Sequence, residues 1–568
     1  MSSTRPVNGR RAWRAAATLA LLLAIGAAPA LPQPPSGRPA ETPPKLVVLL
    51  VVDQMRADYV ERFHDEWTAG LARLVTHGAW FRRAAYPYLT TVTCAGHATI
   101  SSGAFPHVSG VVQNAWWDRA AGRTMSCTAD PNAHDIGYGQ AAAGGDSAWR
   151  LQVPTLSDTL RRERAAHVVA LSLKDRSAIM LAGHGGDAVV WLANDLSGWR
   201  TSSAFSAAPV DAVEQYLSAN PIAADFGKTW TRVLPPRRYD GPDDGVGEAP
   251  PRGWTATFPH VLDGTGGETP TLPFYVQWER SPYANDYLGR MAAALAERLQ
   301  LGTHDGTDVL AVSFSSTDLV GHAFGPASQE VQDMYLHLDR TVGTLLNRLD
   351  ALVGRDRYVV ALSSDHGVTP IPEQLVAEKK DAGRIDAAAI VRAVQQQAVE
   401  ALGPGQYISS FSGTDLYFAP DVYEKLRASP TALSNIVAAI AATPGIEKVF
   451  RGEDLRSAAG ATDPLTRAAA LSYFPGRSGD LVLAPKAGWM FAPTGTTHQS
   501  SHPDDQDVPI LLMGRGIKPG RYTTSATPAD IAPTLAALCG VTMPSAEGRV
   551  LREALTSTKG RSSDPGQR

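Results

Sequence analysis

Seven consecutive aliphatic residues, Leu46–Val52, stop at a carboxylate, Asp53. An unbroken, β-branched run of this length reads as a strand buried on both faces, and such strands belong to parallel sheets covered by helices. The pattern recurs. Residues 168–173 run into Lys174-Asp175-Arg176, residues 309–315 lead to Asp318, and residues 359–362 pass through Ser363-Ser364 to Asp365-His366. Helical periodicity lies between these runs: Val331, Met334, Leu338, Val342, Leu345, Leu349 and Leu352 recur at spacings of three and four, which marks one helix face. The alternation predicts an α/β fold, a doubly wound, mostly parallel sheet flanked by helices. In such sheets a site forms beyond the carboxyl ends of the strands. Here acids, imidazoles and cations stand at those ends in four separate places.

The remainder of the chain fits around this core. Of its 568 residues, 44% are hydrophobic and 19% charged, enough to bury a large core and too apolar for disorder. Lys plus Arg total 52 against 56 Asp plus Glu, a net charge of −4, which lacks the basic excess of a nucleic-acid scaffold. Three cysteines, Cys94, Cys127 and Cys539, exclude a disulfide-rich scaffold and a CxxC zinc module; one disulfide can form, and the sequence leaves its pairing open. Arg5, Arg10, Arg11 and Arg14 precede a short apolar run (15–27) and an Ala28-Pro29-Ala30 cleavage pattern. Residues 1–30 therefore read as a signal peptide, too short in its apolar part to span a bilayer comfortably, and the protein as periplasmic or secreted. A Pro-rich linker follows (31–44). No later run approaches about 18 apolar residues, so no membrane span is expected in the mature form. The catalytic core is expected at 45–369 and 491–556. A smaller inserted α+β subdomain is expected at 370–490, with helical and strand-like pieces at 390–401 and 436–450, and a flexible tail at 557–568. Residues 201–287, rich in Pro, Gly and Trp, read as an excursion near the site mouth.

The polar strand ends supply metal-ligand chemistry. Asp318 and His322 are four residues apart and share one face of a helical turn. Asp365-His366 forms a second pair, Asp53 adds a carboxylate, and His498 adds an imidazole in Gly495-Thr-Thr-His-Gln. Mixed Asp and His donors suit zinc, and six ligands suffice for two ions with positions left open for substrate. His502 competes with His498 by spacing alone. His97, His107 and His184 read as structural. In Pro87-Tyr-Leu-Thr-Thr-Val-Thr-Cys-Ala-Gly-His97, any of Thr90, Thr91 and Thr93 can place a hydroxyl at a helix N-terminus, where amides favour an anion. Asn114, in Val111-Val-Gln-Asn-Ala-Trp116, reads by itself as a turn residue. Lys174 and Arg176, one residue apart, would point the same way from an extended segment and suit the dianion of a phosphate monoester.

These blocks together resemble the alkaline phosphatase superfamily, in its nucleotide pyrophosphatase/phosphodiesterase-like branch, and within it the bacterial periplasmic phosphate monoesterases. The resemblance runs from about residue 47 to 551. It implies two Zn²⁺ per chain, one held by Asp318, His322 and His498, the other by Asp53, Asp365 and His366 with the nucleophile oxygen of Thr93. It selects Thr93 from the Thr-x-x-Gly-His frame, selects His498 over His502 from Thr497-His498-Gln499-Ser500, and assigns Asn114, Lys174 and Arg176 to the phosphoryl oxygens. Gln499 stands where the family block has Gly, and Asp507 where relatives often carry His.

The expected function is a secreted zinc-dependent alkaline phosphatase that hydrolyses small-molecule phosphate monoesters through a phosphothreonine. A phosphodiesterase or nucleotide pyrophosphatase is the alternative on the same fold, and a non-catalytic periplasmic binding protein the alternative from another class. A sulfatase is disfavoured because Cys94-Ala-Gly lacks the Cys-x-Pro-x-Arg signature. No nucleic-acid partner is expected; the sequence leaves the oligomeric state open, with a monomer as the working expectation.

Overall fold

The computed structural model describes residues 42–556. The expected signal peptide, the linker up to residue 41 and the tail at 557–568 lie outside the described residues. The central layer is a ten-stranded sheet. Five adjacent strands run parallel in the order Tyr358–Ser363, Leu46–Val52, Asp308–Phe314, Val168–Ser172 and Ala188–Leu192. Each is buried along its whole length, so each reads as a mostly apolar run. The flanks turn antiparallel: Ile510–Gly514 pairs with Tyr358–Ser363, and Trp199–Ser202 with Ala188–Leu192.

Strand alternation divides the core into two layers. Leu46, Val48, Leu50 and Val52 face one layer with the helices Pro282–Arg298 and Gln329–Leu352. Val47, Leu49 and Val51 face the other with Thr93–Ser102, Asp175–Ala182 and Ile531–Leu538. The long helix begins where the Ser328 hydroxyl accepts from the Val331 amide at 3.2 Å.

A second, four-stranded antiparallel sheet lies within the segment expected as an insertion, in the order Ile408–Ser412, Asp415–Phe418, Leu481–Pro485, Ile446–Arg451. The helices Ala387–Leu402 and Ala432–Ala441 bury Ile390, Val394, Ile436 and Ile440 against it. The apolar stretch at 436–450 is thus the end of one helix, which stops at Ala441, and a strand that starts at Ile446, with Gly445 at φ 88° in the turn before it. The excursion at 201–287 is more ordered than its composition implies, with helices Asp211–Ala219 and Leu272–Glu279. The end of the Pro-rich linker is docked rather than extended in solvent: Pro44 O accepts the Thr307 hydroxyl at 2.7 Å. Among the described residues, no helix is long and apolar enough to cross a membrane.

Candidate active site

Asp53, Asp318, Asp365 and His366 meet because the three adjacent strands Leu46–Val52, Asp308–Phe314 and Tyr358–Ser363 are parallel and end together. Asp318 and His322 follow on the helix Ser316–Phe324, with His322 Nε2 3.1 Å from Asp318 Oδ1. His366 Nε2 stands 3.5 Å from Asp53 Oδ1 and 3.4 Å from Asp365 Oδ2. His498 arrives from a distant loop; its ring stacks on His366 at 3.5 Å, and its Nε2 lies 3.9 Å from Asp318 Oδ1.

All three imidazoles are oriented alike. Nδ1 of His322 donates to Thr496 O at 2.7 Å, that of His366 to Gly367 O at 2.9 Å and that of His498 to Thr91 O at 2.6 Å. A carbonyl can only accept, so each Nδ1 carries the proton and each Nε2 keeps its lone pair for a metal. Asp53 Oδ1, Asp365 Oδ2 and His366 Nε2 are buried and have no hydrogen-bond partner. Orphaned donor atoms converging on one point are costly unless a cation binds them. Two groups have ligand atoms within 4.8 Å of one another: Asp318, His322 and His498, and Asp53, Asp318 and His366. Asp318 is common to both, and Asp365 stands against His366 at the edge of the second. The residues fit a two-metal centre.

The electrostatics differ among the three imidazoles. Burial holds His366 and His498 below the ordinary imidazole range, His498 well below because the His366 and His322 rings add to the effect, whereas against burial Asp318 holds His322 above it. Neutral imidazoles are the form that ligates. Burial and the nearby Asp318 and Asp365 push Asp53 well up. Burial acts in the same direction on Asp318, but His322 and Lys174 hold it well below the usual carboxylate range.

The threonine-rich segment stands beside these groups, with Thr91 O accepting from His498. Thr93 is the first residue of the helix Thr93–Ser102, and the residue before it, Val92, makes no side-chain cap. Thr91, equally plausible by composition, has its hydroxyl engaged with Ser500 O at 3.0 Å. Asn114 Oδ1 accepts from the Cys94 amide at 2.8 Å, which leaves its Nδ2 as a donor without a protein partner among the described residues. His502 is directed elsewhere, donating from Nε2 to Pro485 O at 3.0 Å.

Lys174 and Arg176 depart from the geometry expected of them. Only Lys174 is extended, at φ −111° and ψ 133°; Arg176 already lies in the helix Asp175–Ala182, so the side chains do not share a strand face. The strand ends two residues earlier because Ser172 Oγ accepts the Lys174 amide and turns the chain into the helix. Lys174 Nζ sits 2.6 Å from both Asp53 Oδ2 and Asp318 Oδ2. The Arg176 Nε is buried without a partner.

Sequence reasoning missed two residues that hold the site. Gln54, at φ 67°, donates from Nε2 to Asp318 Oδ1 at 2.6 Å and from its amide to Asp365 Oδ1 at 3.2 Å. Its only signal was adjacency to Asp53. His97, read as structural, is fully buried; its ring bonds Thr93 O and Ser313 Oγ, both at 2.8 Å, and its Nδ1 lies 3.2 Å from Asp365 Oδ2. Gln499, in place of the family's Gly, holds φ 97° and donates to Gln113 Oε1 at 2.5 Å, which ties the residue after His498 to the residue before Asn114. The cysteine pairing left open by the sequence is Cys94–Cys127, with Cys539 free and buried.

Comparison with known proteins adds independent findings. The family model described as type I phosphodiesterase/nucleotide pyrophosphatase matches residues 47–505. A Myroides odoratus protein named calcium-transporting ATPase is 31% identical over 527 residues, 90% of this chain and 95% of that one. Alkaline phosphatase PafA of Elizabethkingia meningoseptica is 30% identical over 530 residues, 90% of this chain and 94% of that one. The crystal structure of wild-type PafA superposes with a TM-score of 0.83 at 28% identity, covering 91% of this chain and all (100%) of that one.

Proposed function

Because the chain belongs to the type I phosphodiesterase/nucleotide pyrophosphatase family, in the PafA-like branch of the alkaline phosphatase superfamily, and is an alkaline-phosphatase-like hydrolase, we propose that it cleaves phosphate monoesters at a two-zinc centre with Thr93 as nucleophile. The observation that carries the reading is the set of orphaned ligand atoms, Asp53 Oδ1, Asp365 Oδ2 and His366 Nε2, opposite the free Nε2 atoms of His322 and His498. Three imidazoles with carboxylates favour zinc over the oxygen-seeking magnesium and calcium. Asp318, His322 and His498 would hold one ion, and Asp53, Asp365 and His366 the other. When bound, zinc supplies Lewis acidity for the attacking alcohol, the leaving oxygen and the hydrolytic water.

The chain's own groups do the rest. Thr93 Oγ1 attacks phosphorus in line, the P–O bond to the substrate alcohol breaks, and a phosphothreonine remains; water then attacks phosphorus and returns the Thr93 hydroxyl. Asn114 Nδ2 donates to a phosphoryl oxygen. Lys174 and Arg176 supply positive charge where a monoester carries two negative charges and a diester one. The same reading makes the protein exported, with residues 1–30 removed, and assigns residues 370–490 as a subdomain inserted into the catalytic core.

The test compares zinc-loaded wild type, Thr93→Ala and Lys174→Ala/Arg176→Ala on a monoester and its matched diester. Thr93→Ala is expected to abolish both activities with zinc content unchanged. The double variant is expected to lose roughly 10²–10³ on the monoester and much less on the diester. Equal losses on both substrates return the diesterase reading to first place.

A further inference from the structure

The disulfide lies inside the catalytic constellation. Cys94 follows Thr93 directly and is the second residue of its helix. Cys127 closes the base of a hairpin, Ala115–Asp118 with Arg123–Ser126, whose register pairs Ala115 with Ser126. Asn114 and Cys127 are therefore the next opposed residues, and the Cys127 amide donates to Asn114 O at 2.9 Å. The Cys94 amide donates to the other end of the same residue, Asn114 Oδ1, at 2.8 Å. Asn114 is thus held by one hydrogen bond from each half of a single covalent bridge. The network extends one residue further. The Thr128 hydroxyl bonds Asp146 Oδ1 at 2.7 Å and reaches Asp175 Oδ2 at 3.5 Å, and Asp175 Oδ1 accepts the Arg176 amide at 2.7 Å.

A two-stranded hairpin is marginally stable by itself and cannot hold a side chain to the tolerance that catalysis demands. The helix bearing Thr93 is buried along its whole length. Joining the two fixes the distance from the Thr93 oxygen to the Asn114 donor, and both cysteines are wholly buried where they do so. The hairpin has other anchors for its position in the fold: Trp116 is 1% exposed, with the guanidinium carbons of Arg150 and Arg477 each 5.3 Å from its ring centroid. Loss of the bridge therefore loosens Asn114 without undocking the hairpin.

We propose that the Cys94–Cys127 disulfide is a positioning element of the active site, which holds the Asn114 amide at the place of the transferring phosphoryl oxygen and makes full activity depend on an oxidising compartment. The proposal rests on the phosphoryl-donor role assigned to Asn114. Removal of the bridge acts through Asn114, so the contributions of the two are not additive.

Four zinc-loaded enzymes close the test: wild type, Asn114→Ala, Cys94→Ala/Cys127→Ala, and the triple variant, all carrying Cys539→Ala to prevent exchange. Cys539 O accepts from Arg164 Nε ahead of the strand Val168–Ser172, at the end of the sheet opposite the site, so that substitution leaves basal activity unchanged. Monoesterase kcat/KM is expected to fall by about 10- to 100-fold on loss of the disulfide, the cost of a small misplacement. Zinc content and circular dichroism should stay unchanged, and Asn114→Ala should cost no more than about twofold in the disulfide-free background. Additive effects, an unchanged rate, or loss of zinc from the folded double variant would overturn the proposal. If the double variant does not fold, the native disulfide is reduced with a water-soluble phosphine. The phosphine gives the electron pair and becomes its oxide with oxygen from water, and two thiols form. A comparable fall in rate with the fold intact supports positioning, and unfolding overturns it. Absence of monoesterase activity in the wild type, or no effect of Asn114→Ala there, would instead refute the functional reading on which the proposal stands.

Discussion

Glu330 and His260 form a buried pair, with His260 Nε2 2.9 Å from Glu330 Oε1, that resembles a salt bridge in geometry and is neutral in charge. Burial pushes Glu330 up from 4.5 to about 8 and His260 down from 6.5 to about 4, so near pH 6 neither is ionised. The consequence has a definite sign. A raised carboxyl pKa means that the native state keeps a proton the unfolded chain has released. That contribution is fully present below about pH 4.5 and is lost as pH rises through about 8, at about 1.4 kcal/mol per unit. Glu330→Gln mimics the neutral acid, so denaturant midpoints measured from pH 5 to 8 should fall less steeply in the variant; equal slopes would mean that Glu330 is ionised in the native state. At this same scale the acids and imidazoles that gather at the strand ends were readable in the sequence. Asp318 and His322 sit one helical turn apart, and Asp53 and Asp365-His366 each end an aliphatic run, so local chain geometry alone aims them. Gln54 was not readable, since nothing in an isolated glutamine says that its amide will reach a carboxylate 264 residues away.

The elements carry the precision of the site. The helix Thr93–Ser102 packs so closely on the turn after Tyr358–Ser363 that a Cβ on Gly96 would lie 2.2 Å from Asp365 O and 2.6 Å from its Cα. Helix propensity alone would favour alanine there by about 1 kcal/mol. The clash decides otherwise, because the atoms met are backbone. Gly96→Ala is expected to push Thr93 away from the carboxylates, with a fall in kcat/KM of about 10² and a loss of about 1–3 kcal/mol in stability. Steady-state rates and thermal melts check both, and a variant with wild-type kcat/KM would show that the contact is slack. The boundary between strand and helix at Lys174 belongs to the same scale. Runs of apolar residues predicted the Val168–Ser172 strand well, but where the backbone turns is set by the Ser172 hydroxyl accepting the Lys174 amide at 3.1 Å. That turn puts Arg176 on a helix, which a two-residue spacing read as strand could not foresee.

Over the whole molecule, a two-metal centre assembled from three strand ends and one remote loop couples metal binding to the folded state. Zinc bound only by the native protein should stabilise it by about 2.7 kcal/mol at a free concentration 100 times its Kd. Chelated enzyme is expected to lose turnover and melt earlier; zinc should restore both, with two ions per chain by elemental analysis, and recovery with magnesium alone would reassign the metal. The sequence by itself determined the sheet, its covering helices and the acids and imidazoles placed at strand ends. Aliphatic runs and spacings of three and four are local records of burial, and the chain direction after a buried strand is local too. Tertiary structure alone decided what comes from afar. His498 enters and His502 does not, because the His498 Nδ1 finds Thr91 O across 407 residues while His502 turns to Pro485 O. Thr91 is occupied by Ser500 across 409 residues, and Cys94 meets Cys127 rather than Cys539. Such pairings depend on how loops close over a finished sheet, and a loop carries no periodicity from which its partner can be read.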